Sequence, residues 1–110
     1  MINYTTPTIT LTVEGVDLTG QDVYVSLEQK PAELTKTGSD LTITTETHEQ
    51  VTDTVIELTL TQEESAMFKP NNQVRLQVNW ISQTGRRAAT EIKSFPALVN
   101  LLDEVLPNAN

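Results

Sequence analysis

The residues that could do chemistry are few and scattered. His48 is the single histidine, and it stands among Thr47, Glu49 and Gln50. An imidazole is the commonest general acid or base near neutral pH. Here no Gly-x-Ser-x-Gly turn exists to supply a nucleophile, so solvation in a polar loop is the expected fate of His48. Glu63-Glu64 and Asp103-Glu104 are adjacent acids. Glycoside hydrolysis needs two carboxyl groups facing each other across a cleft, which sequence neighbours do not supply. Thr61 stands three residues before Glu64, the spacing of a helix capping box, and that accounts for Glu64 better. Asp17 and Asp22 flank a Gly turn and could touch Ca²⁺, but the dense acidic loop that ion requires is missing. Cysteine is absent, which removes disulfides and thiolate zinc sites. The reading assigns no catalytic residue, no cofactor and no metal ligand, and expects a non-enzymatic protein.

Two features remain that suit contact with another protein. Arg86-Arg87 is the only local basic point in an acidic chain. It reads either as a solvated turn or as a fork for an acidic partner surface. The second feature is the stretch after Pro96. Leu98, Leu101, Leu102 and Val105 follow the i, i+3, i+4, i+7 spacing of a helix, and Val99 and Leu106 widen the stripe. So short a helix must pack on something. Two fates are open to it: folding back over one end of the core, or docking in a groove on a neighbour.

The elements that must position these residues are mostly strands. Ile9, Leu11 and Val13 alternate with Thr8, Thr10 and Thr12, as in a half-buried strand. Val23, Val25 and Leu27 form a second apolar row. Leu34 marks a short strand after Pro31, and Leu41 and Ile43 another. Ile56, Leu58 and Leu60 come after a polar hairpin loop at Glu46–Asp53 with some strand at its edges. The pattern breaks at Thr61–Phe68 for one or two helical turns. Val74, Leu76, Val78 and Trp80 then form the longest alternation, with Trp80 read as a core plug. Ser82-Gln83-Thr84-Gly85 is a hairpin turn. A return strand comes next, with Ala88, Thr90 and Ile92 on one face and Ala89, Glu91 and Lys93 on the other. About seven short strands with frequent turns predict an all-β, immunoglobulin-like sandwich, with an open barrel as the competing architecture. The expected organisation is a sandwich domain over 1–96 and a C-terminal amphipathic helix or docking tail over 97–110, ending in Asn108-Ala109-Asn110.

The chain has 110 residues and a formal net charge of −8. Such a charge disfavours phosphate backbones and anionic membrane surfaces, so neither nucleic acid nor membrane is an expected partner. No stretch approaches the length of a membrane span. The first residues lack the basic and apolar regions of a secretory signal, which predicts synthesis in the cytoplasm.

Several segments resemble known proteins. They are Tyr4–Gly20, Leu60–Ser65, Val78-Asn79-Trp80, Ala89–Ile92 and Asn100–Val105. Together they resemble a group of small prophage-encoded proteins of Gram-positive gut bacteria. Asp17-Leu18-Thr19-Gly20 before a strand is also similar to the N-terminal sandwich domains of phage baseplate upper proteins. The resemblance implies a virion component without enzyme activity, made in the host bacterial cytoplasm. It would work beside other phage virion proteins, as a homo-oligomer or in repeated copies. Tail, baseplate, adaptor and fibre-anchoring positions fit it. Capsid decoration and a carbohydrate- or receptor-binding module are the alternatives. The candidate partner interface is Arg86, Arg87, Leu98, Val99, Leu101, Leu102, Val105 and Leu106.

Overall fold

A computed structural model describes residues 1–107 and shows an all-β sandwich. The expected Asn108-Ala109-Asn110 tail lies outside the described residues. Among the described residues eight strands are formed: β1 (Thr8–Val13), β2 (Asp22–Gln29), β3 (Ala32–Thr37), β4 (Leu41–His48), β5 (Val51–Thr59), β6 (Gln73–Ile81), β7 (Arg87–Ala89) and β8 (Lys93–Pro96). One sheet runs β1-β5-β4. The other runs β3-β2-β6-β7, with β8 also paired to β6, and every pair is antiparallel. Two separate sheets exclude the open barrel. Reading β1 as strand B reproduces the B-E-D and C′-C-F-G orders of an immunoglobulin sandwich. Ile2 forms a parallel bridge to Leu98.

The alternation read from the sequence sets the core. Val23, Val25 and Leu27 of β2 lie beside Val74, Leu76 and Val78 of β6, and Ile56 and Leu58 of β5 close the core from the other sheet. Each of these side chains is buried. Leu18, in the β1–β2 connection, is only 1% exposed. Thr54 holds that connection in place: its Oγ1 donates to the Val16 carbonyl (2.6 Å) and accepts from the Leu18 N–H (3.0 Å).

The helix α1 (Gln62–Ala66) forms where the capping box placed it. Thr61 Oγ1 accepts from the Glu64 N–H at 3.1 Å, and Glu64 Oε1 accepts from the Thr61 N–H at 2.9 Å. The residues after it divide. Phe68 is 1% exposed and Met67 is 42% exposed, so one of the two enters the core.

Four expectations are corrected. The loop at Glu46–Asp53 is largely strand: β4 and β5 pair to His48↔Val51, past the last β1 partner at Val13↔Thr54. Glu49 and Gln50 close it with φ of 50° and 70°, the left-handed pair a two-residue turn demands. The return strand is not continuous. Asn79 faces Ala89, whereas Leu76 faces Lys93, so the register shifts by one residue between β7 and β8. Thr90 marks the bulge, its Oγ1 accepting the Val78 N–H at 3.1 Å. A one-residue insertion reverses the facing of every residue after it on the strand, so Phe95 comes to the core side and Ile92 is 47% exposed. Trp80 lies on the core side, opposite Val23 and Ala88, but at the end of its row, where it is only partly buried. Residues 97–107, lastly, form no helix.

These depths order two truncations. Phe68→Ala removes a fully enclosed ring and is expected to cost about 3–5 kcal/mol. Trp80→Ala is expected to cost less, about 2 kcal/mol, because part of the ring is already in water. Denaturant unfolding of both variants checks the order, and equal losses would place Trp80 deeper than described.

Candidate functional site

The candidate interface residues fall into two groups that the fold keeps apart. Ile81, at one end of β6, faces Arg87, and Gln73, at the other end, faces Pro96. The span between them is about 26 Å at the rise of a strand. The Arg pair therefore sits at one end of the sandwich and the apolar tail at the other.

Arg86 comes directly after a tight turn in which the Gly85 N–H donates to the Ser82 carbonyl at 2.9 Å. Gly85 has φ of 84°, a conformation costly for a residue with a Cβ. Arg87 points Nε and an Nη onto Asn79 Oδ1, at 3.3 and 3.2 Å. Neither Arg is in an ion pair among the described residues. Arg87, Asn79, Tyr24, Ser26, Thr35 and Ile81 line an open groove of about 280 Å³ on the outer face of the larger sheet.

The other end carries the tail. Leu98, Val99, Leu101, Leu102, Val105 and Leu106 are 44%, 58%, 98%, 50%, 44% and 41% exposed. Ile2, which bridges to Leu98, adds to this surface. Isolated exposed apolar residues are ordinary, but a cluster of them marks an interaction site.

Polar side chains hold the tail against the domain. Asn3 is buried, and its Nδ2 donates to the carbonyls of Ser65 and Phe68. Its backbone carbonyl accepts from Asn100 Nδ2 at 3.0 Å, and its backbone N–H donates to the Leu98 carbonyl at 3.0 Å. Gln62, 1% exposed, grips Leu106 from both sides. Its Nε2 donates to the Leu106 carbonyl (2.9 Å), and the Leu106 N–H donates to its Oε1 (2.7 Å). Sequence reasoning missed Asn3 and Gln62. Their partners lie 62 to 97 and 44 positions away, and neither residue type in its local setting signals such a contact.

The chemistry-bearing residues are dispersed. His48 lies at the tip of the β4–β5 ribbon, 75% exposed, with Glu46 Oε2 at 3.9 Å. Asp17 Oδ1 accepts the Thr19 N–H at 2.9 Å, a local turn bond. Hydrogen bonds from Thr19 hold the Asp17 carboxyl below its usual range. Among the described residues no group of three or more His, Asp or Glu could hold a metal ion. No helix among them is long and apolar enough to cross a membrane.

Lys36 Nζ donates to Glu64 Oε1 at 2.8 Å and ties β3 to α1. Partial burial raises the pKa of the Glu64 carboxyl. The hydrogen bond from Lys36, the Thr61 N–H, the Lys36 charge and the Thr61 hydroxyl outweigh burial and bring it below its ordinary value. A depressed folded value stabilises the protein above the unfolded value, and that stability is lost as pH falls through the folded one. Glu64→Gln is therefore expected to lower Tm at neutral pH and to converge with the parent well below about pH 4. A Tm gap that stays constant from pH 7 to strongly acidic conditions would contradict the pairing.

No family model, curated protein or solved structure matches the chain.

Proposed function

We propose that this protein is a non-catalytic assembly module that packs against other protein chains, and that it serves as a structural component of a bacteriophage particle. The observation that carries the assembly reading is the cluster of six exposed apolar side chains from Leu98 to Leu106 at one end of a well-packed domain. Water contact at such a cluster is costly enough that a partner surface is its natural complement. The phage assignment adds the segment likenesses at Tyr4–Gly20 and Asn100–Val105. Tail, baseplate, adaptor and fibre-anchor positions are the first choice, and capsid decoration is the alternative. The expected setting is repeated copies among other virion proteins.

The test is proteomics on gradient-purified particles from the source organism, with heads and tails separated. The chain is expected at stoichiometric level in the tail fraction. Recovery with heads would make it a capsid part, and absence from both would end the virion reading.

A second reading has its own observation. Tyr24, Asn79 and Arg87 share the outer groove with two hydroxyl residues, Ser26 and Thr35. An aromatic ring beside amide, guanidinium and hydroxyl groups suits a carbohydrate. Binding on a glycan array, abolished by Tyr24→Ala with the fold intact, is the expected result of that reading. A blank array retires it.

A further inference from the structure

Residues 98–106 would be a well-sorted helix, yet on this domain they are not a helix. At about 100° per residue, Leu98, Val99, Leu101, Leu102, Val105 and Leu106 fall within one arc of about 160°, and Asn100, Asp103 and Glu104 occupy the remainder. No apolar residue falls on the polar side. As a strand the same residues would divide, with Leu98, Leu102 and Leu106 on one face and Val99, Leu101 and Val105 on the other. Only the helix gathers them. The segment is nevertheless irregular. The Asn100 side chain takes the Leu102 N–H at 3.0 Å, a local bond that competes with helix formation. Gln62 holds the Leu106 backbone.

We infer that residues 98–106 are a docking segment that folds into an amphipathic helix within an apolar groove, edged by Lys or Arg, on a protein other than this chain. The inference rests on the assembly reading above and names the kind of partner. So short a helix is marginal in water and forms when its apolar face is covered. Asp103 and Glu104 flank the apolar arc on its two shoulders, so cationic edges on both sides of the groove complement them. A second copy is a poor occupant. The chain carries a net charge of −8, and Arg87, in no ion pair among the described residues, borders a groove lined by Ser26, Thr35 and Asn79 as well as Tyr24 and Ile81, not an apolar one. The Gln62 grip on Leu106 keeps the segment against α1 until a groove replaces those bonds.

The first measurement is NMR on the full chain, following the Cα shifts of residues 98–106. The probes are dodecylphosphocholine micelles, and the same micelles doped with cationic dodecyltrimethylammonium. Expected are non-helical shifts alone, helical shifts with micelles, and a stronger response to the cationic ones. Leu101→Asp is expected to abolish the response and Leu101→Met to keep it. Leu101 is 98% exposed, so neither change disturbs the fold. Shifts that stay non-helical in both micelles overturn the inference, and equal responses overturn the basic-edged groove. The second measurement places a photo-crosslinking residue at Leu101 in purified particles. An adduct to one different protein, at apolar residues beside Lys or Arg, is expected. An adduct to another copy of this chain, or none, overturns it. Absence of the chain from particles strikes the virion reading alone and leaves the NMR result standing.

Discussion

The pairing of β2 with β6 is the constraint on which the rest of the structure depends. It runs from Asp22↔Ile81 to Glu28↔Arg75 and puts two apolar rows on the same face. A slip of one residue would turn one of the two rows to water, so the register is fixed by burial. Once it is fixed, the outer row is fixed too. Tyr24, Asn79 and their neighbours must line the outer groove, and Arg75 must come within reach of Glu28, which it meets at 3.1 Å. The two ends of β6 then set the two ends of the molecule. Ile81 leads into the Arg86-Arg87 turn. Gln73 lies beside Ala97, which exchanges backbone bonds with Asn71 and Asn72 at 2.7 and 3.0 Å and is fully buried. The sandwich ends at Ala97, and the exposed tail begins one residue later.

Polar side chains are placed where the strands cannot satisfy the backbone. The end that holds α1 and the tail has no continuous ladder, so Asn3, Ser65 and Gln62 supply the bonds. Ser65 Oγ donates to the Thr5 carbonyl at 2.8 Å, and Asn3 spans to the last turn of α1 and the residue beyond Met67. A buried amide or hydroxyl is stabilising only when its partners are present. Thr54 does the same work for the β1–β2 connection at the opposite end. Loops held this way are part of the core, which is why Leu18 is buried although no strand carries it.

Much of the fold was legible because period-2 alternation is a local signal. β2, β5 and β6 could be read directly, and so could the Thr61–Glu64 capping box, since all its partners lie within three residues. The features that were missed depend on distant partners or on parity. The bulge at Thr90 is invisible because Ala88, Thr90 and Ile92 continue the alternation unbroken. Only the ladder on β6 reveals that Ile92 has been turned outward. The depth of Trp80 was overread because alternation gives a side and not a position along the row. The ribbon at Glu46–Asp53 hid behind its polar side chains. Those residues extend beyond β1, so neither face needs apolar groups. Of the candidate interface, the apolar residues were legible as a set, but their separation from the Arg pair required the register.

The tail shows how a strong local pattern can fail to produce its element. Helical spacing forecasts which face would be buried if a helix formed, but the spacing supplies no surface to bury it against. Ordering the backbone costs about 1–2 kcal/mol per residue, and full burial of an aliphatic side chain returns about 1.5–3 kcal/mol. Over a segment in which six of nine residues are apolar, those two quantities are of the same size, so formation depends on nearly complete coverage. The domain offers Ile2 and Asn3 at Leu98 and Asn100, an open pocket edged by Tyr4, Ala66 and Pro70 beside Val99, and the polar grip of Gln62 at Leu106. It holds the segment at Leu98, Asn100 and Leu106 and does not cover its apolar side chains. A docking helix that waits for its groove, held close to the domain meanwhile, is the state that balance favours.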